Sequence, residues 1–250
     1  MAFDKSLLGA HRASLIHWFE TIDTTMHECV RLAAAGAPSG TVVGSDEQTA
    51  GHGRHGRAWD SQRGAGLYVS IVLRIADVIA MQDLPVVTLA LGLAAAEAIR
   101  TTSGVNCDLR WPNDVLIGDK KCCGILTQLH GSAIVAGVGI NVNQAAFPES
   151  IHDIATSLAI ACGKTISREV LLGNLLDSIE THTSILSREG KHAILRLFEH
   201  ASSYVRGRRV IVDESQIGTT NGLNDDGFLL LKSDDGVESV ILAGGVRPRT

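Results

Sequence analysis

The sequence predicts an α+β fold, with a mixed, mostly antiparallel sheet flanked by helices and a small β-barrel at the C-terminus. Three stretches carry that expectation. Residues 115–142 read as a meander of short strands joined by tight turns. Residues 148–202 switch to helical periodicity. From about Val205, short apolar runs alternate with Gly, Asn and Asp turns, as a small barrel requires. The chain therefore divides near 203–206, into a body of residues 1–203 and an appendage of residues 204–250.

The elements follow in order. "SLIHWFETI" (14–22) alternates and carries aromatics, so it reads as a strand. In "TTMHECVRLAAAG", Thr25 and Glu28 have capping-box spacing and Gly36 suits the C-terminal stop of a helix. "TVVGSDEQ" (41–48) reads as a strand running into a glycine loop, and "LYVSIVLRI" (67–75) as a second strand. An Ala-rich helix near 84–101 starts after Asp83 and Pro85. Its apolar stretch, 86–99, is shorter than the ~20 residues a bilayer span needs, so a buried helix is expected. "CDLRWP" (107–112) is a short strand. "VLI" then turns through Gly118-Asp119 into "KKCCGILTQL", and His130-Gly131-Ser132 turns into "AIVAGVGINV". "SREVLLGNLLDSIETHTSIL" and "HAILRLFEHASSYV" are helical, with Ser167 as N-cap. Five short strands complete the chain.

Composition narrows the class. A net charge of -5 over 250 residues argues against a broad nucleic-acid-binding face. Cys29, Cys107, Cys122, Cys123 and Cys162 are scattered, without C-x-x-C spacing, which points to a reduced, cytoplasmic protein. Adjacent Cys122 and Cys123 are expected on opposite faces of a strand, as packing residues. The N-terminus has no continuous apolar stretch of signal-peptide type, so a soluble protein is expected. None of the 10 histidines forms a zinc-ligand pattern, and no tightly bound metal or prosthetic group is expected.

Chemistry concentrates in three stretches. "GHGRHGRAW" (51–59) has G-x-G-x-x-G spacing, but no helix opens after Gly56 and no lysine follows it. Neither a dinucleotide fingerprint nor a P-loop fits. Glycines allow close backbone approach, while Arg54 and Arg57 keep their charge and suit phosphate or carboxylate. A cationic loop that closes over an anion is the expectation. In "RWPNDVLIGDKKCCGIL" (110–126), Asn113-Asp114 sit at a strand exit, fit to orient substrate or to help hold Mg²⁺ at Asp114. The turn at Gly118-Asp119 folds Lys121 back beside them, and Gly124 lets a ligand pass close to backbone. Lys120 reads as a solvated turn charge. In "AGVGINVN" (136–143), alternating Gly137 and Gly139 leave one strand face bare, either for a flat ligand or for core packing.

Together, in this order and separation, "GHGRHGRAW", "RWPNDVLIGDKKCCGIL" and "GVGINVN" resemble biotin protein ligases over about residues 15–250. The resemblance implies a class II synthetase-like catalytic domain with an SH3-like C-terminal barrel. It implies that ATP activates biotin to biotinyl-5′-AMP with release of pyrophosphate, and that a lysine of a biotin carboxyl carrier protein domain then takes the biotinyl group. By position, Lys121, Arg54, Asn113 and Asp114 would be catalytic. Biotin would be held by Thr24, Thr25, Met26, Gln48, Gly51, His52, Gly53, Arg54, Lys121, Gly124, Gly137 and Gly139. Arg54, Arg57, Trp59, Asn113, Lys121 and Asn141 would hold ATP and the adenylate, with Trp59 on the adenine side. ATP and Mg²⁺ enter as co-substrate and ion.

Some positions depart from the family pattern. His52 stands for the usual Arg, Arg110 for Lys, Met26 for Asn, and Cys122 and Cys123 for small apolar residues. A partly titrating imidazole at His52 would loosen the hold on the adenylate near neutral pH. Only about 15 residues precede the first core strand, so a monofunctional ligase without a DNA-binding domain is expected, with a homodimer left open. Two other readings remain: a lipoate or octanoate ligase or transferase of related fold, and a non-catalytic nucleotide- or biotin-sensing module. The arginine-glycine loop weighs against the first, and Lys121 with Asn113-Asp114 against the second.

Overall fold

The computed structural model describes residues 2–74 and 83–249. After a one-turn 3₁₀ segment, the body runs α1 (Ala10–Leu15), β1 (Ile16–Phe19), α2 (Thr25–Ala34), β2 (Val42–Ser45), β3 (Leu67–Leu73) and α3 (Leu84–Ser103). It continues with β4 (Asp108–Arg110), β5 (Asp114–Ile117), β6 (Lys120–His130), β7 (Ala133–Ile140), α4 (Leu158–Cys162), α5 (Arg168–Glu189) and α6 (Lys191–Ala201). The strands form one seven-stranded sheet in the order β1-β2-β3-β7-β6-β5-β4. Among the described residues β1 and β2 are the one pair of its strands that run parallel, so the mixed, mostly antiparallel sheet expected from the sequence is the one observed.

Period-two alternation divides the core into two layers. Val42, Val69, Ile71 and Leu73 enter the large core beneath α3 and α5, whereas Val43 and Val72 pack with Met26, Cys29 and Ala33 of α2 on the opposite face. α3 opens with Pro85 in its first turn and ends on Gly104 in the left-handed region. It is long and apolar enough to cross a membrane, but it lies packed against α5, α6 and β6. Ser167 caps α5 as expected, its hydroxyl accepting from the Val170 amide.

Three local expectations are corrected. The strand expected over 14–22 is only Ile16–Phe19, because residues 14 and 15 complete α1. The N-cap of α2 is Thr24, not Thr25: the Thr24 hydroxyl accepts the Met26 amide, and Glu28 pairs with Arg31 at 2.7 Å instead of closing a capping box. Cys122 and Cys123 do not face opposite sides. The β5–β6 register shifts between Val115 and Leu116, which makes Cys122 the inserted residue next to Cys123, the partner of Val115, and both cysteines are fully buried in the large core. Ile75, the last residue of the strand expected over 67–75, lies outside the described residues.

The small unit contains β8 (Arg206–Val212), β9 (Gln216–Leu223), β10 (Leu229–Lys232), β11 (Glu238–Ile241) and β12 (Val246–Pro248). They form an antiparallel sheet in the order β11-β10-β9-β8-β12. Among the described residues no β11–β12 ladder closes it. Its apolar side joins the body's core through Val210, Leu229, Leu231 and Ile241. Trp111 Nε1 donates to the Gly227 carbonyl at 2.9 Å, a buried bond that ties the two units together. Gly227, at φ +81°, lies so close to α3 that a methyl group there would stand 3.3 Å from Val86 and Leu89.

Candidate active site

The α2-side face of the sheet is covered by α2 over only part of its width. Cross-strand register sets out what remains. One row runs Asp114–Gly124–Gly139–Tyr68 across β5, β6, β7 and β3, and the next runs Leu126–Gly137–Ser70. The glycines leave a bare floor between polar or charged ends, and a cavity of about 780 Å³ stands over it.

Lys121 reaches this face because of the bulge. With unbroken alternation, Lys121 and Gly124, three residues apart, would point to opposite sides. The extra residue on β6 reverses that, and Lys121 Nζ lies 2.6 Å from Asp114 Oδ1. Asp114 Oδ2 is held at 2.7 Å by Arg110. Burial pushes the Asp114 carboxyl up, but Lys121 and Arg110 outweigh it and hold the group below the usual carboxylate range. Lys121's backbone is fixed from the other side, its amide donating to the Ile154 carbonyl and its carbonyl accepting from Thr156. The exposed Lys120 ammonium donates to the His152 carbonyl at 2.9 Å.

At the other end of the floor, Thr24, Thr25 and Met26 open α2, all nearly fully buried. The Thr25 amide donates to Gln48 Oε1 at 2.9 Å, and its hydroxyl lies 2.8 Å from Ser70 Oγ. Gln48 Nε2 donates to Ser61 at 3.3 Å. Met26 lies over Gly137, where a Cβ would stand 2.9 Å from its sulfur.

The glycine loop is folded on itself. Gly53 N–H donates to the Arg57 carbonyl, Trp59 N–H to the Gly51 carbonyl, and His52 bridges to Ala58. His55 and Gly56 take positive φ, +57° and +69°, which turns the chain at the loop's tip. Arg54 is partly buried, which lowers its pKa, and its guanidinium makes one long bond, 3.4 Å, to Asn113 Oδ1. Asn113 Nδ2 donates to the Ile125 carbonyl at 2.8 Å, so the amide is oriented. Trp59 lays its indole on Gly124 and Gly139, where a Cβ would come within 2.9 and 2.7 Å of the ring. Lys121 Nζ stands 5.3 Å from the ring centroid, a cation–π distance. Trp59 Nε1 is buried and has no hydrogen-bond partner among the described residues.

Of the residues singled out from the sequence, Thr24, Thr25, Met26, Gln48, His52, Gly53, Arg54, Arg57, Trp59, Asn113, Asp114, Lys121, Gly124, Gly137, Gly139 and Asn141 line this one cavity. Gly51 does not. A Cβ there would meet Gln48, the Trp59 carbonyl and Ser61 at 3.0 to 3.2 Å, so its bareness serves loop packing. Asn141 lines the cavity, but its amide is engaged by protein, donating to the Thr156 carbonyl and accepting from Gln144. Asp114 does not fit the magnesium ligand expected of it, because both carboxylate oxygens already hold protein cations. Sequence reading passed over Ser70, Arg110 as a site residue, Ile154 and, in the barrel, Gly244, Gly245, Val246 and Pro248; Arg247, a weak candidate from the sequence, lines the cavity with them. Ser70 had left a signal, a hydroxyl on an otherwise apolar strand.

Comparison with known proteins agrees with this geometry. A sequence model of the Biotin/lipoate A/B protein ligase family matches residues 18–144. The chain belongs to that family. It is 36% identical over 236 residues to the bifunctional ligase/repressor BirA of Bacillus spizizenii, covering 90% of this chain and 71% of the relative. It is 33% identical to the biotin–[acetyl-CoA-carboxylase] ligase of Mycobacterium tuberculosis, covering 89% and 84%. The biotin protein ligase of Aquifex aeolicus, solved in complex with biotin and ATP, superposes with a TM-score of 0.82 at 32% identity, over 94% of this chain and 99% of that one. Within the family, these relatives place the chain with the biotin protein ligases.

Proposed function

We propose that this cavity joins biotin to ATP and passes the biotinyl group to a lysine of a biotin carboxyl carrier protein domain of a biotin-dependent carboxylase. One observation carries the assignment: Lys121 Nζ, set by a bulge and aimed by Asp114, lines the same cavity as a partly buried Arg54, which among the described residues has no carboxylate in direct contact. Joining a carboxylate to a triphosphate brings like charges together, and fixed cations lower that barrier. In the first step a biotin carboxylate oxygen bonds to the α-phosphorus. The bond from α-phosphorus to the bridging oxygen breaks, and pyrophosphate leaves with its electron pair. Lys121 spans carboxylate and α-phosphate, and Arg54 holds the adenylate. In the second step the neutral acceptor amine bonds to the acyl carbon, AMP departs, and the amine loses a proton. Between the steps the mixed anhydride must be kept from water, and the glycine loop with Trp59 forms that cover.

The polar end of the cavity favours biotin over lipoate or octanoate. Thr25, Ser70 and Gln48 supply donors and acceptors that a ureido ring can engage, whereas a dithiolane or alkyl chain would press apolar surface on them. We assign Asp114 to orienting Lys121 and Arg110, and magnesium enters with the triphosphate. The five cysteines are free thiols, which fits a reducing, cytoplasmic compartment. Incubation with biotin, ATP and an isolated carrier domain tests the proposal: the carrier gains one biotinyl group, and Lys121→Ala abolishes the gain. A carrier left unmodified by the intact enzyme refutes the assignment.

A further inference from the structure

The turn between β8 and β9 faces the glycine loop and is built in an unusual way. Asp213 and Glu214 occupy its centre with φ of +46° and +61°, a region that side-chain-bearing residues seldom adopt. The Ser215 amide closes the turn onto the Val212 carbonyl at 3.2 Å. The Asp213 carboxylate is anchored in turn, Oδ1 accepting the Gly245 amide at 2.7 Å. Gly244 and Gly245 leave it room: a Cβ on Gly244 would stand 2.7 Å from Asp213 Oδ2.

Across Gly245 stands Arg57. The point where a Gly245 Cβ would lie is 3.8 Å from Arg57 Nη1 and 3.8 Å from Asp213 Oδ1. The guanidinium and the carboxylate are thus separated by no more than twice that distance, on the bare side of Gly245, and they do not form a direct ion pair here. Asp213 also acts through space on Arg54, opposing the effect of burial on that guanidinium. Gly244, Gly245, Val246 and Arg247 line the same cavity as the loop, so the segment that holds Asp213 is part of the cavity wall. Arg247 lies 3.9 Å from Glu214. In that arrangement Asp213 is the carboxylate that Gly245 presents to Arg57.

We propose that Asp213 is a positioning residue for the glycine loop: it receives Arg57 when the loop closes over the acyl-adenylate, so the C-terminal unit sets how long the intermediate is retained. The proposal rests on the adenylate chemistry assigned above. It gives the small unit a part in the reaction that requires no contact of its own with the substrate. An exposed pair is weak at rest, which suits a latch that must release for the acceptor lysine to enter.

The test follows enzyme-bound biotinyl-adenylate, formed from biotin and ATP in the full chain, after dilution into unlabelled biotin. Asp213→Asn keeps an acceptor for the Gly245 amide and a residue that tolerates the left-handed region, so an unchanged melting temperature is expected. Asp213→Asn and Arg57→Gln should each shorten the lifetime by about two- to fivefold, and the double variant by no more than either alone. The deficit of Asp213→Asn should shrink at roughly 1 M salt, as an exposed charge pair is screened. A wild-type lifetime in Asp213→Asn, or a full Asp213 effect that persists in the Arg57→Gln background, overturns the latch. An intact enzyme that forms no adenylate at all refutes the assigned function instead, so the two failures are distinguishable.

Discussion

A Gly124→Ala substitution adds one methyl group where Lys121, Trp59 and the cavity floor meet. The methyl carbon would lie 2.9 Å from Lys121 Cε, 2.9 Å from Nζ and 2.9 Å from Trp59 Cζ3. Optimal carbon contacts are about 3.5–4.0 Å, so each neighbour must retreat by roughly 0.6 Å or more. Both neighbours are ends of side chains rather than backbone, and they can move into the cavity. The cost to stability should therefore lie at or below the low end of overpacking, about 1 kcal/mol. The cost to chemistry is larger, because Lys121 Nζ leaves its 2.6 Å contact with Asp114. A misplacement of about 1 Å costs on the order of a hundredfold in rate, so a loss of roughly ten- to a hundredfold is expected. Biotin-dependent ATP–pyrophosphate exchange reads the chemistry, and thermal unfolding reads the fold. Exchange at the wild-type rate with an unchanged melting temperature would refute the placement of Lys121 over Gly124. Parallel collapse of both would show that the glycine serves the fold alone.

Other perturbations bear on separate parts of the account. Arg54→Ala removes the loop guanidinium, and bound adenylate should escape about ten- to a hundredfold faster, the value of a charge-assisted hydrogen bond; an unchanged lifetime contradicts its role. Asp114 titrates below its ordinary 3.8 in the folded chain, so its stabilising effect is full above that value and is lost as pH falls through the lowered folded value. Urea midpoints should therefore separate wild type from Asp114→Asn at about pH 7, and the gap should narrow as pH falls below 3.8, whereas a gap that does not change with acidification refutes the pairing. Trp111→Phe leaves the buried Gly227 carbonyl without its donor and should cost about 1–3 kcal/mol; a midpoint within experimental error of wild type would remove that bond from the interface.

Much of the architecture was legible because local rules and tertiary packing agree. The meander over 115–142 combines alternation with tight turns, and β5, β6 and β7 appear there. The hairpin at Gly118-Asp119 was enough to bring Lys121 beside Asp114. What it could not show is why Lys121 shares a face with Gly124, because one inserted residue inverts every orientation before it and leaves no mark in the hydrophobic pattern. The same insertion turned Cys122 into the core beside Cys123. Residues 143–157 have little regular structure and no periodicity to read, yet Ile154 and Thr156 fix the backbone of Lys121. Asp213 and Gly245 are distant in sequence from the loop they face, and only folding brings them to it. The glycine loop carried a spacing that invited a dinucleotide site. Its arginines, and the strand that follows, pointed instead to a cationic loop at an anion site, and the structure sets Arg54 and Arg57 on the wall of the cavity.

The most direct test of the central claim is ATP–pyrophosphate exchange measured with biotin, lipoate and octanoate in turn. Exchange that depends on biotin and stays at background with the other two is the predicted result; exchange with lipoate and none with biotin would contradict it.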